Sequence, residues 1–318
     1  MTINEITAKL FSYDSYLIFC HARPDGDTLG SAFALKIALE NRGKRADIVC
    51  ESAVPAKFDF MPLSGSVLLP SAVSGSYAAH VAVDCASENM IGEAFSLFSR
   101  SKNTFNIDHH LSNSRYAAYN FVGDNAACCE IIYDIITLAG VKIDDGAANS
   151  LLLGISTDTG NFMHSNVTAN TLSVAAKLVE LGGDLHNIAY NAYKNQPLCR
   201  AKLYAKVMDG MRLFADGKIA VISVFLRQCE EFGASKDMTE GFIDFPLSVS
   251  GVEVAVSIME NKENCYKVSL RSKGKVNVNE VAAAFGGGGH VLASGCMISG
   301  FYEDVKDKLI REISFQLD

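Results

Sequence analysis

Proline is scarce in this chain, at 6 of 318 residues, and only 20% of residues carry charge. Those shortages argue against long disordered segments, which need high charge and little apolar content. A basic excess is also missing, because the formal net charge is −8. That excludes a broad basic face for coating long nucleic acid, yet leaves room for a small anionic substrate held by metals and a few local cations. No run is long enough to span a bilayer, and Met1–Glu5 is not a basic segment leading into an apolar one. The nine cysteines contain no C-x-x-C pair and are odd in number, which speaks against a disulfide framework at this size. A soluble protein of the reducing cytoplasm, without a membrane partner, is the expectation. Cys20, Cys85 and Cys129 lie in apolar runs, where cysteine acts as a small buried hydrophobe. Internal repeats and low-complexity tracts are absent as well.

What is present suits two domains, since 318 residues with 49% apolar content exceed one ordinary core. The first half alternates strand-like runs with helical patterns. Tyr16–Cys20, Ala46–Cys50, His80–Asp84 and Thr104–Asp108 read as strands, and Leu29–Leu39 reads as a helix stopped by Gly43. Cys129–Leu138, Ala147–Ile155 and Thr168–Leu181 read as further helices. Such alternation predicts an α/β fold with a mostly parallel sheet covered by helices on both faces. Residues 1–184 form the predicted first domain and 185–215 a helical connector broken at Pro197. Residues 216–318 form a smaller α/β domain with strands at 218–225, 252–259 and 266–271.

In parallel sheets, ligands bind beyond the carboxyl ends of the strands. His21, Asp84 and Asp108 each fall at such an end. In His21-Ala22-Arg23-Pro24-Asp25-Gly26-Asp27, carboxylates two apart in a turn can point at two neighbouring metals, and Gly26 permits the tight turn. The plainer reading makes Asp25 and Asp27 helix caps. Asp108-His109-His110 also has a plain reading, with one histidine buried, one exposed and an aspartate at a strand end. Asp158, in Asp158-Thr159-Gly160, could equally be a cap or turn residue. Mixed carboxylate and imidazole ligands suit Mn²⁺, Fe²⁺ or Co²⁺, and carboxylates alone would also suit Mg²⁺. The conjunction of these motifs carries more weight than any one of them.

Taken in order, the first motif with Gly30-Ser31, then Val83-Asp84, Asp108-His109-His110 and Asp158-Thr159-Gly160 resemble the DHH phosphoesterase superfamily. Ser269-Leu270-Arg271-Ser272 and Phe285-Gly286-Gly287-Gly288-Gly289-His290 resemble its DHHA1 domain. The likeness spans nearly the whole chain and is greatest to the oligoribonuclease and pAp-phosphatase branch. It implies two divalent ions, Mn²⁺ by preference with Mg²⁺ or Co²⁺ as alternatives. His21, Asp25 and Asp84 would hold one ion; Asp27, Asp84, His109 and Asp158 would hold the other, with Asp84 bridging. Asp108 would orient His109 rather than touch metal, and His110 would face the phosphate or assist proton transfer. Water activated by both ions would attack phosphorus, so no serine or cysteine nucleophile is needed.

Arg271, Gly286, Gly287, Gly288, Gly289 and His290 are the expected substrate-binding residues. Backbone N–H groups of a glycine run can nest a phosphate, and a guanidinium can grip one with two parallel bonds. The plain reading of the run is a flexible turn. The implied substrates are short RNA, cleaved to nucleoside monophosphates, and adenosine 3′,5′-bisphosphate (pAp), cleaved to AMP and phosphate. Cyclic di-AMP or its linear form pApA is the alternative within the family, and a non-catalytic nucleotide sensor is the alternative of another class. A homodimer is implied by the resemblance alone. Ser294 departs from the alanine common in relatives, a small change. His80, His164 and His186 are read as structural or surface residues; Arg23 could contact a phosphate, Phe162 could stack on a base, and Lys273 and Lys275 could add a positive rim, against plainer structural or solvated readings of each.

Overall fold

A computed structural model describes residues 1–317, which divide into two units, 1–195 and 196–317. The first unit runs α1 (Ile3–Leu10), β1 (Ser15–Phe19), α2 (Gly26–Glu40), β2 (Arg45–Val49), β3 (Val67–Leu68), β4 (Ala79–Val83), α3 (Glu88–Ile91), α4 (Phe95–Phe98), β5 (Thr104–Asp108) and β6 (Tyr119–Val122). The helices α5 (Cys128–Leu138), α6 (Asp145–Asp158), α7 (Ala169–Glu180) and α8 (Leu185–Ala189) complete it. Its six strands are ordered β3-β2-β1-β4-β5-β6 and every pairing is parallel.

Alternation along the strands explains why both faces are covered. Ile18, Val81, Val83, Phe105 and Ile107 point into a core closed by α2, α5 and α6, while Leu17, Phe19, Val49 and Ala82 pack against Ile91, Ala94 and Phe98. The strand order reverses between β1 and β4, the two central strands. Chains leaving them diverge to opposite sides, opening a crevice at their carboxyl ends.

The second unit runs α9 (Leu198–Asp209), β7 (Arg212–Phe214), β8 (Ile219–Val224), α10 (Leu226–Phe232), α11 (Asp244–Ser248), β9 (Val254–Lys262), β10 (Cys265–Ser272), α12 (Val278–Ala283), β11 (Gly288–His290), β12 (Ala293–Ser299) and α13 (Tyr302–Ser314). Its sheet is ordered β11-β12-β10-β9-β8-β7, with β8 and β9 parallel and the other pairs antiparallel. Val256, Val268 and Leu270 face a core closed by Val281, Val305 and Leu309. Residues 185–215, expected to form one connector, are instead shared between the units, and Arg212–Phe214 is a strand rather than helix. Among the described residues no helix is long and apolar enough to cross a membrane.

Candidate metal centre

Asp25 caps α2, and its Oδ1 accepts from the backbone N–H groups of Asp27 and Thr28 at 3.0 and 3.2 Å. Its second oxygen lies 3.5 Å from His21 Nε2. The capping and ligand readings of this residue are therefore compatible, one oxygen for each. Asp27 is fully buried because its carboxylate accepts from the N–H groups of Cys128 and Cys129, at 2.6 and 2.9 Å, at the start of α5. Unpaired amides at a helix N-terminus favour a negative charge there. Thr28 ties the turn to the sheet by donating its hydroxyl to the Val83 carbonyl at 3.0 Å.

Asp84 follows β4 directly and adopts a left-handed backbone with φ of 57°. That conformation is costly for a residue with a side chain and is characteristic of functional sites. Its Oδ2 lies 3.7 Å from His21 Nε2 and its Oδ1 3.4 Å from His109 Nε2, so the two oxygens face different neighbours. His109 Nε2 also lies 3.3 Å from Asp158 and 3.9 Å from Asp27. Asp158 is the last residue of α6, a helix end and not a turn.

The ligand atoms of His21, Asp25 and Asp84 form one set close enough to share an ion, and those of Asp27, His109 and Asp158 form another. Asp84, His109 and His110 form a third, overlapping set. Asp84 Oδ1 and His109 Nε2 are buried without a hydrogen-bond partner. Buried orphans of this kind are costly unless something absent from the protein satisfies them, and a carboxylate with an imidazole nitrogen is a fitting donor set for a divalent ion.

The electrostatics agree. Burial, then the neighbouring charge of Asp27, push the Asp84 and Asp158 carboxyls well above the usual carboxylate range. Burial likewise raises Asp27. Burial opposes charge on His109, but Asp84, Asp27 and Asp158 outweigh it and lift the imidazole to about 10. A cavity that crowds carboxylates and draws a proton onto histidine is short of positive charge.

One expected role is corrected. Asp108 Oδ1 lies 2.8 Å from His110 Nδ1, whereas His109 Nδ1 lies 3.0 Å from the Asn125 carbonyl. Asp108 therefore orients His110, and a backbone carbonyl orients His109. The reason is geometric: His109 turns inward from the strand end toward the loop before α5. Despite the desolvation of its carboxyl, bonds from His110 and Asn113 hold Asp108 below the usual carboxylate range. Asn125, Asn113 and buried Glu130 were missed from the sequence. Asn113 donates to Asp108 Oδ2 at 2.5 Å, and Glu130 Oε2 accepts from Asn125 and Asn170 at 3.3 and 2.9 Å. Asn113 lies only three residues past His110, near enough in sequence to be read together with the motif.

In the second unit, Arg271 pairs with Ala293 on one side of β12 and His290 pairs with Ala293 on the other. Directly paired residues share a face, so Arg271 and His290 sit in one row, on the face opposite Val268 and Leu270. His290 is exposed and Arg271 half-buried. The plain reading of the glycine run as a flexible turn does not hold, because Gly288–His290 is a strand against β12. A Cβ on Gly287 would sit 2.2 Å from the Gly295 carbonyl, and Gly289 combines φ of +149° with 2.6 Å to the Ala293 carbonyl. Close backbone approach explains both.

Several residues read as structural are so: His80 Nδ1 lies 2.9 Å from the Phe98 carbonyl, and Phe162 packs against the core. Arg23 is exposed.

Residues 15–155 match the DHH family N-terminal domain and residues 216–317 match the DHHA1 domain. A protein of Thermus thermophilus named bifunctional oligoribonuclease and PAP phosphatase NrnA is 31% identical over 93% of this chain and 90% of its own length. The chain belongs to the DHH family. It is a hydrolytic enzyme of the phosphoesterase kind. A Bacillus subtilis protein of the same name is 26% identical over 97% of this chain and 96% of its own length. An exopolyphosphatase-related protein of Bacteroides fragilis superposes with a TM-score of 0.92 at 26% identity, covering 99% of this chain and 97% of that one. The Thermus thermophilus RecJ structure with Mn²⁺ shares the fold, at a TM-score of 0.59 and 12% identity, over 98% of this chain and 55% of its own.

Proposed function

We propose that this DHH-family protein hydrolyses short oligoribonucleotides to nucleoside monophosphates and pAp to AMP and phosphate, with two divalent ions, Mn²⁺ by preference. The observation that carries this reading is Asp84, whose two oxygens face two separate ligand sets. The names of the Thermus thermophilus and Bacillus subtilis relatives support the substrate class. All the ligand positions hold His or Asp, which argues against a decayed sensor.

His21, Asp25 and Asp84 would hold one ion, and Asp27, Asp84, His109 and Asp158 the second. Ions bound there supply Lewis-acid stabilisation of phosphoryl charge and make water acidic enough to ionise near neutral pH. The Asn125 carbonyl can only accept, so His109 carries its proton on Nδ1 and offers Nε2 as a ligand. Asp108 likewise fixes the proton of His110 on Nδ1. The partly exposed His110 Nε2 can then meet the phosphate: as the neutral ring it accepts a proton there, and as the imidazolium, carrying a second proton on Nε2, it donates to a phosphoryl oxygen or to the leaving group. Arg271, His290 and the backbone of Gly286–Gly289 would bind nucleotide phosphates on the second unit. The nine free cysteines, eight of them buried, are in keeping with a reducing cytoplasm.

The test is a side-by-side turnover assay with pAp, RNAs of graded length, pApA and cyclic di-AMP. Turnover of pAp and the shortest RNAs is expected with Mn²⁺ and is lost with a chelator. Asp84→Ala should abolish it, because both ligand sets lose a member. Wild-type turnover in that variant would refute the two-ion arrangement, and a preference for cyclic di-AMP would refute the substrate.

A further inference from the structure

A pocket of about 290 Å³ opens beside β7 and β8 of the second unit. It lies at the far edge of the sheet from β11 and on the other face from Arg271. Arg212 pairs with Val221, which points into the core that also receives Leu270, whereas Arg271 alternates away from it.

The strand pattern marks the pocket floor. Ile219 and Val221 are buried on this face, but the next inward position is Ser223, whose hydroxyl lies 2.6 Å from that of Tyr302. The walls are aromatic: Tyr302 stacks edge-on with Phe225 at 5.1 Å between centroids. The Lys306 ammonium lies 5.9 Å from the Phe214 ring and 5.7 Å from the Tyr302 ring, and it pairs with Glu303. Lys206, from the last turn of α9, and Arg212, from the edge strand, complete the rim. Among the described residues neither has an acidic group at ion-pair distance. The lining thus carries Lys206, Arg212 and Lys306 against Glu303, with Asp307 also 3.7 Å from Lys306, so Lys206 and Arg212 are the cations left for a ligand, in a chain whose net charge is −8.

We propose that this pocket is a second binding site, separate from the metal centre, for a small planar-ringed phosphate of the nucleoside monophosphate class. Each part of the lining has a matching part of such a ligand. Lys206 and Arg212 would take the phosphate, Arg212 with a planar fork suited to two parallel bonds. The rings of Phe214 and Tyr302 would take the base, and the Ser223 and Tyr302 hydroxyls its polar edge. An inorganic anion would leave the aromatic walls unused, and an apolar ligand would leave the cations unmatched. The volume is near the lower end of ligand pockets, roughly 300 Å³.

The experiment is calorimetric titration of the full chain, held with a chelator, by AMP, by inorganic phosphate and by adenosine. AMP should bind roughly tenfold or more tightly than either fragment. Lys206→Glu with Arg212→Glu should weaken AMP binding by about tenfold or more, and the milder Lys206→Gln with Arg212→Gln should weaken it in the same direction. Turnover of saturating substrate with Mn²⁺ and no added AMP should stay at the wild-type rate in both. AMP should also slow amide exchange in residues 212–214 and 302–306. Unchanged AMP affinity in both double variants would overturn the proposal. So would AMP affinity lost in Arg271→Ala with no protection at 212–214, since that assigns the nucleotide to the opposite face.

Discussion

The proton on each histidine of Asp108-His109-His110 is set by a different acceptor, and each acceptor has its own support. Asn113 braces Asp108, so Asn113→Ala should loosen His110 while leaving the ligand atoms in place. Loss of a residue that holds a site residue costs about 10–100-fold. We expect a kcat loss of that order with metal affinity close to wild type, as measured by activity and metal titration in parallel. Glu130 acts on the other histidine, through the loop that carries the Asn125 carbonyl. It is 1% exposed and its Oε1 has no partner, so it is a costly group retained at a point where it grips that loop. Glu130→Ala should lower metal affinity by about 10–100-fold in a chelator competition titration. If Glu130→Ala binds metal as tightly as wild type, the Asn125 carbonyl does not depend on Glu130.

Between elements, the decisive contact is the crossing of α2 and α6. A Cβ on Gly30 would lie 2.3 Å from the Ser150 carbonyl, and one on Gly154 would lie 2.5 Å from Asp27 Oδ1 and 2.2 Å from Cys129 Sγ. The helices meet backbone to backbone, and Asp27 is trapped in the seam. Gly154→Ala should cost about 1–3 kcal/mol of stability through overpacking, and should weaken metal binding if the displaced Asp27 oxygen is the proposed ligand. Denaturant unfolding and metal titration would separate the two effects. The central strands β1 and β4 were legible in the sequence because both faces are buried and their apolar runs are nearly continuous, while β2 and β5 show apolar residues at alternating positions, Ala46 and Ile48, Phe105 and Ile107. Tyr119–Val122 and Arg212–Phe214 were not, since they are short edge strands with little burial. Gly288–His290 was masked by its own glycines. The residues proposed as ligands stand in recognisable motifs, but the bond from Asp27 to α5 joins positions 101 residues apart and no local pattern announces it. The partnership of Asp108 with His110, rather than with His109, was lost for a similar reason: ring direction at a strand end depends on the loop before α5.

For the whole molecule, the buried acids couple folding to pH and to metal. Asp84 and Asp158 hold their protons more tightly folded than unfolded. Their contribution to stability is complete below the ordinary carboxylate value of 3.8 and is lost as pH rises through their raised values. His109 adds a term of the same sign, complete below 6.5 and lost as pH rises through about 10. The metal-free protein should therefore lose thermal stability as pH rises from the acid range, and Mn²⁺ should restore it increasingly toward neutral and alkaline pH as protons no longer compete. Melting curves with and without chelator between pH 5 and 9 would check this, and parallel curves at all pH values would contradict it. The left-handed backbone of Asp84 carries the same logic into variation and selection. Asparagine adopts that conformation more readily than other side chains and brings no charge. Asp84→Asn should melt higher than the metal-free parent while turning over nothing. A screen for sturdiness alone would therefore enrich dead enzymes at this position, because the strain and the crowded charge are the cost of having a reaction to catalyse.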